Sequence, residues 1–177
     1  MAAKSKGKIR HIAISVPDPW AAAEFYKEAF GLEELGETDG MLAEGVFLTD
    51  GVVNLALLKF KDDVAAQGTG KDYVGLHHLG LWVDNAEASG EQATSAGATW
   101  IMGDLHNKGG YEVKYSDPTG VIFDISEDGW AGAQKNPGAS DNVTHPNTRA
   151  RVPRFDERRA QARVELERRR AKAMSPA

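Results

Sequence analysis

Two histidines stand side by side in the stretch GLHHLGLWVDN, residues 75–85, which reads as a buried strand. Successive side chains of a strand point to opposite faces, so His77 and His78 cannot both face one pocket. An imidazole in such a place can bind a metal ion, transfer a proton or hold a hydrogen bond in the core. The first question is therefore which ring faces inward.

An internal repeat indicates that the inward ring belongs to His78. HIAISVPDP, which begins at His11, aligns with HLGLWVDNA, which begins at His78, at an offset of 67 (78 minus 11). Alternation puts His11 and Ala13 on one face of the first copy, and His78 and Gly80 on the same face of the second. The small residues of this face are expected to leave room for a ligand. His77 falls on the helix-packing side and is predicted to be structural.

One carboxylate is predicted to join the two histidines. In SDPTGVIFDIS the apolar residues Val121, Phe123 and Ile125 share a face, so Asp124 lies on the other face, toward the cavity. A buried carboxylate needs a partner, because an unpaired buried charge costs several kcal/mol. A lone strand histidine is more often a hydrogen-bonded core residue, but the repeat favours a shared site. Two imidazoles and one carboxylate suit a divalent metal and leave three octahedral positions open.

The elements that carry these residues repeat as well. Each copy begins with a strand and a turn, where Asp18 in the first copy and Asp84-Asn85 in the second can cap a helix. The helices are predicted to end at Gly31 and Gly97, and three short strands follow each one. The pattern predicts an α+β fold in which two βαβββ modules pair around a central cavity.

The expected domain covers residues 8–133, with modules at about 8–60 and 75–128. Residues 134–177 are expected to form an irregular linker, rich in Pro, Asn and Gly, and a basic helical tail. The tail helix has only a thin apolar stripe. A solvated or frayed helix is the favoured interpretation, and packing on a partner subunit is the alternative.

Composition narrows the class of protein. The chain has no cysteine, which excludes disulfides and thiolate chemistry, and no apolar run approaches a membrane span. Residues 147–177 carry ten Lys/Arg and four Asp/Glu (+6), which leaves eleven and twenty-two (−11) for residues 1–146. An acidic body argues against a nucleic-acid partner. A cytoplasmic protein with no membrane partner is expected.

The sequence also resembles the vicinal oxygen chelate superfamily, which includes glyoxalases, bleomycin resistance proteins and extradiol dioxygenases. The resemblance covers about residues 8–128 and rests on HIAISV, HLGLWV, FYKEAFGLEE and DPTGVIFDI; GLHHLGLWVDN is especially similar to the epimerases. It implies that His11, His78 and Asp124 hold a divalent metal, with Fe(II) favoured and Mn, Zn, Ni or Co possible. Aspartate stands where the family usually has the longer glutamate.

The resemblance leaves several reactions open. The family's proton-transfer members take a fourth ligand or base from the last strand of the first module, which is VVNLALL here. Asn54 or Ala56 stands at the corresponding position, and neither side chain can accept a proton. Glu44 could reach in from a neighbouring strand. The first prediction is therefore an Fe(II) dioxygenase of the extradiol ring-cleavage type. A glyoxalase- or epimerase-type lyase or isomerase, and a metal-free binding or resistance protein, are the alternatives.

Further residues are assigned from their positions relative to these motifs. His106 lies near the family's proton-transferring histidine and is predicted to be catalytic. Lys114 stands where the ring-cleaving members have a tyrosine; it either supplies positive charge toward an anionic substrate or is a solvated strand residue, which is favoured. Trp130 is expected to fold back over the sheet. The protein is expected to bind a small molecule and to form a homodimer. The predicted substrate-binding residues are Ser15, Asn54, Trp82 and Tyr111.

Overall fold

The computed structural model describes residues 6–105, 112–136, 138 and 148–174. Over these residues a strand, a helix and three strands occur twice, and a further helix follows. The strands are β1 Lys8–Ser15, β2 Glu33–Asp39, β3 Ala43–Thr49, β4 Asn54–Phe60, β5 Gly75–Trp82, β6 Thr99–Met102, β7 Val113–Ser116 and β8 Ile122–Ser126. The helices are α1 Pro19–Phe30, α2 Ala86–Ser95 and α3 Asp156–Met174.

The strands are hydrogen-bonded in the order β2-β3-β4-β1-β5-β8-β7-β6. In each half of this order the first strand of a module lies beside its last strand, followed by its third and its second. β5 and β8 are parallel, whereas β7 is antiparallel to both β6 and β8. The predicted α+β fold of two βαβββ modules is confirmed.

The helix boundaries follow the capping residues closely. The Asp18 side chain accepts hydrogen bonds from the backbone N–H groups of Trp20 and Ala21, and α1 ends at Gly31, whose φ of 69° is left-handed. Asn85 caps α2. The second helix ends one residue earlier than predicted, with Ala96 as its C-cap, and Gly97 supplies the left-handed residue just beyond it.

The chain divides into two compact units that differ from the modules read in the sequence. The first unit spans Met1–Ala13, Gly51–Leu55 and Leu76–His145; the second spans Ile14–Asp50, Ala56–Gly75 and Pro146–Ala177. The module boundaries at about 8–60 and 75–128 stay a prediction.

The first unit has two buried clusters. One contains Val83, Val113, Tyr115 and Ile125, with α2 alanines packed against it. The other contains Trp82, Trp130 and Ala133. Trp130 is only 2% exposed, so it packs inward as the sequence predicted.

In the second unit, α3 packs on α1, which corrects the favoured view of a solvated tail. Phe155, just before the helix, contacts the Trp20 ring at a centroid distance of 4.4 Å, and Ala162 is buried on α3. The fully buried Glu37 carboxylate of β2 accepts hydrogen bonds from Trp20 Nε1 and pairs with Arg159. Ion pairs and aromatic contacts hold α3 against the unit. The thin apolar stripe of α3 therefore did not indicate that the helix packs on the protein.

Among the described residues, no helix combines the length and the apolar composition needed to cross a membrane.

Candidate metal centre

Three residues lie in a row across neighbouring strands of the first unit. Gly80 of β5 is opposite Asp124 of β8, and Asp124 is opposite Lys114 of β7. Residues directly opposite each other project from the same face of a sheet, so Asp124 and Lys114 meet. Asp124 is fully buried, and Lys114 is 7% exposed.

The carboxylate of Asp124 is held by the ammonium of Lys114. Lys114 Nζ donates to Oδ1 and Oδ2 at 2.6 Å and 2.5 Å, and it lies 3.2 Å from Oε1 of Glu112. Burial alone would lower the pKa of Lys114, but the two carboxylates raise it, so the ammonium stays charged. Burial and the neighbouring Glu112 raise the pKa of Asp124, against the attraction of Lys114.

Both repeat histidines reach the same place. His11 Nε2 lies 3.2 Å from His78 Nε2, which lies 3.2 Å from Asp124 Oδ2. One ligand atom from each of the three residues lies within 4.8 Å of the others, and all three residues are buried. Burial, followed by repulsion from Lys114, lowers the pKa of His78 well below its ordinary value, so this imidazole is neutral at pH 7.

Neighbouring groups orient the two rings. Asn54 Oδ1 lies 2.7 Å from His11 Nδ1, and because this oxygen only accepts, His11 donates there and turns its Nε2 lone pair toward the cluster. His77 Nδ1 lies 2.7 Å from His78 Nδ1. If His78 Nδ1 carries the proton of that contact, Nε2 of His78 is also free to bind a cation. Trp130 stacks on His11 at 5.1 Å.

A family model described as the Glyoxalase/Bleomycin resistance protein/Dioxygenase superfamily matches residues 8–125. The chain belongs to this superfamily. No curated protein matches the chain significantly.

Solved structures with the superfamily fold resemble this chain at low sequence identity. A hypothetical protein from Bacillus halodurans C-125 is 20% identical, with a TM-score of 0.57, and the match covers 76% of this chain and 99% of that one. A methylmalonyl-CoA epimerase in complex with methylmalonyl-CoA and NH4+ is 20% identical, with a TM-score of 0.57 and coverage of 67% and 92%. The methylmalonyl-CoA epimerase from Mycobacterium tuberculosis is 19% identical, with a TM-score of 0.55 and coverage of 71% and 90%.

The donor set of this superfamily member fits a divalent cation, with one opposing feature. Neutral imidazole and carboxylate oxygen are ordinary ligands for such ions, and the cluster is enclosed. Lys114 opposes binding, because a doubly charged ion about 4 Å from an ammonium is repelled by about 8 kcal/mol at an effective dielectric constant of about 20.

Lys114 and Asn54 have surroundings that differ from those predicted. Lys114 is buried and ion-paired, so the favoured interpretation as a solvated strand residue is wrong: its methylenes cross the sheet face toward the carboxylate opposite. Asn54 lies behind His11, and its Nδ2 donates to Ala131 O at 2.9 Å. That geometry gives Asn54 a positioning role in place of the predicted contact with substrate.

Trp82 and Ser15, two of the predicted substrate contacts, lie among the described residues, and both are buried. Trp82 Nε1 donates to Glu127 O at 2.7 Å, and Gly129 lies against the ring of Trp82, whose contact with substrate stays a prediction. Ser15 is buried and belongs to the second unit. His106 and Tyr111 lie outside the described residues, and their roles stay predictions.

The space expected beside Gly80 is filled by protein. A Cβ atom built on Gly80 would lie 2.6 Å from His11 Cβ and 2.6 Å from Trp130 Cζ2. Gly80 therefore leaves room for the side chains of His11 and Trp130, whereas the sequence predicted room for a ligand there.

Two neighbours of the cluster, Glu112 and His77, were not predicted from the sequence. In the observed register Ser116 lies opposite Ile122 and Lys114 opposite Asp124, whereas a count from the four-residue DPTG turn would have put Ser116 opposite Val121. Strand alternation indicates that Glu112, two residues before Lys114, lies on the same side of the chain as Lys114. His77 was assigned to packing because strand alternation points it away from His78, yet the two rings meet through Nδ1.

Proposed function

We propose that this chain is a metal-dependent enzyme that binds a divalent cation through His11, His78 and Asp124 and acts on a small molecule with two adjacent oxygen atoms. The convergence of these three side chains within 4.8 Å carries the proposal. When bound, the cation would neutralise charge on the substrate oxygens, and Fe(II) would add one-electron chemistry with dioxygen. Mn, Zn, Ni and Co are the alternative metals.

Ring cleavage of a catechol with Fe(II) is the first reaction proposed. Proton transfer next to a carbonyl needs a positioned base, and Glu44, the carboxylate expected to reach in, and Glu112, which lies beside the cluster, are both paired with cationic side chains. Glu44 is paired with Arg154 and Arg158 in the second unit. Burial raises the pKa of Glu112, but Lys114, His11 and the hydrogen bonds to Glu112 together outweigh burial and lower the pKa to about 2, which makes Glu112 a weak base.

Oxygen uptake tests this reaction. Ring cleavage puts both atoms of O2 into the product as one ring C–C bond breaks, so no external reductant is needed. Protein purified without oxygen and loaded with Fe(II) should consume one O2 per catechol cleaved, and His78→Ala and Asp124→Ala should lose about 100-fold or more of that rate.

Light scattering on the same preparation tests the expected homodimer.

Proton transfer is the second candidate, because the solved structures that resemble this chain include methylmalonyl-CoA epimerases. Incubation with methylmalonyl-CoA in heavy water, followed by NMR, would reveal exchange of the proton next to the thioester. If this proton exchanges and no diol causes oxygen uptake, proton transfer replaces ring cleavage as the proposed reaction. Saturable binding of an apolar ligand by metal-free protein, without either reaction, would favour the resistance-type binding protein.

A further inference from the structure

Lys114 occupies a position that an ordinary strand lysine does not. It lies inside β7, is almost fully buried, and uses one ammonium to contact both oxygens of Asp124. Long charged side chains usually keep the charged end in water, so a buried ammonium requires nearby negative charge. Asp124 and Glu112 provide that charge.

The ammonium and a divalent cation need the same oxygen. Asp124 Oδ2 lies 2.5 Å from Lys114 Nζ and also 3.2 Å from His78 Nε2. His78 and Asp124 would hold a divalent cation together with His11, and the ammonium of Lys114 already contacts this carboxylate. The ammonium of Lys114 and a divalent cation at the same buried carboxylate would repel each other strongly, because the surrounding protein screens their charges poorly.

A second carboxylate lies within reach of the displaced ammonium. Glu112 Oε1 is 3.2 Å from Lys114 Nζ, and Trp130 Nε1 donates to Glu112 Oε2 at 3.2 Å, which fixes this carboxylate beside the cluster. The Glu112 side chain is 24% exposed, so this end of the network approaches the surface. Lys114 can therefore release Asp124 without losing every anionic partner.

We propose that Lys114 is an internal competitor for the metal site: it neutralises Asp124 when the site holds no metal, and it moves toward Glu112 when a divalent cation binds. This rests on the proposed function, because the ligands are the same three residues. Lys114 thereby lowers the affinity of the site for divalent cations and keeps the metal-free protein folded.

Metal titration of matched variants tests this role. Mn2+, Co2+ and Zn2+ are titrated separately, by calorimetry, into metal-free wild type and into Lys114→Met, which keeps the length of the side chain without its charge. Lys114→Arg keeps the charge at the same position. Lys27→Met removes an ion-paired lysine from the second unit and is the control for loss of a lysine elsewhere. His78→Ala is made in the wild-type and Lys114→Met backgrounds.

Lys114→Met should bind the metals about 100-fold more tightly than wild type, whereas the Lys114→Arg and Lys27→Met variants should stay within about threefold of it. Saturating Mn2+ should also raise the melting temperature of Lys114→Met more than that of wild type, which shows that the variant folds around the ion. Should Lys114→Met be unfolded without metal, Lys114→Gln is measured in its place.

Equal affinities for wild type and Lys114→Met, both lost with His78→Ala, would overturn the competitor role and leave the proposed function standing. Tight binding that survives His78→Ala, or no saturable binding by any form, would instead remove the metal site on which both proposals depend.

Discussion

Gly80 shows how one missing side chain places a functional group. It lies in the row with Asp124 and Lys114, and the space where its side chain would stand is filled by His11 and Trp130. Gly80→Ala should lower the free energy of unfolding by about 1–3 kcal/mol, because the added methyl must push these groups aside. It should also weaken Mn2+ binding, since His11 moves with them.

Urea unfolding and metal titration of Gly80→Ala measure the two effects. Gly40→Ala is the matched control, because a methyl there would make only ordinary contacts at 3.5 Å. Equal stability of the two variants would show that the packing around Gly80 is looser than the structure indicates.

Asn54 is predicted to act on the candidate metal site by orienting His11. Its Oδ1 accepts a hydrogen bond from His11 Nδ1, which turns the lone pair of His11 Nε2 toward His78 and Asp124. Asn54→Ala should weaken metal binding about 10- to 100-fold while the fold is retained. Asn54→Asp keeps an acceptor at this position and should bind metal at least as well as wild type. A drop of equal size in both variants would assign Asn54 to packing instead.

At the scale of elements, Arg159 of α3 pairs with the buried Glu37 carboxylate of β2. Glu37 is 1% exposed and accepts hydrogen bonds from Trp20 Nε1 and Val152 N as well as from Arg159. Arg159→Ala should lower the free energy of unfolding by about 3–5 kcal/mol, because it leaves a buried carboxylate without its cation.

Arg168→Ala, on the same helix, is the control for that measurement. Arg168 pairs with Glu165 at the exposed surface, where such pairs contribute less than about 1 kcal/mol. Urea unfolding of the two variants should therefore separate them clearly. Similar midpoints would mean that α3 is held mainly by its contacts with α1.

The sequence predicted elements and faces better than it predicted partners. The caps at Asp18 and Asn85 followed from short-range patterns, because capping depends on neighbouring residues. The two modules followed from the internal repeat, and the inward face of the histidines followed from the repeat together with strand alternation. The pairing of Glu37 with Arg159 joins residues 122 positions apart, and no local pattern indicates it. Lys114 was misjudged because burial depends on the strand opposite.

At the scale of the whole molecule, the basic C-terminal segment pairs with acidic residues within the second unit. Residues 147–177 carry +6 against −11 for the rest. Arginines before and along α3 pair with acids elsewhere in that unit; the pairs are Arg154 with Asp39, Arg158 with Glu44, and Arg170 with Glu28. These arginines are about half exposed, so dissolved salt can screen them, whereas the buried Glu37 is shielded.

Raising sodium chloride from about 0.05 M to about 1 M should therefore lower the free energy of unfolding by about 1 kcal/mol, because the Debye length falls to about 3 Å. Urea unfolding at both salt concentrations measures this. Arg158→Gln/Arg170→Gln should be less stable than wild type in low salt, and its stability should respond less to added salt, since two of the three screened pairs are already gone. A double variant with the full salt response of wild type would mean that the acidic body, rather than the docking of α3, sets how stability depends on salt.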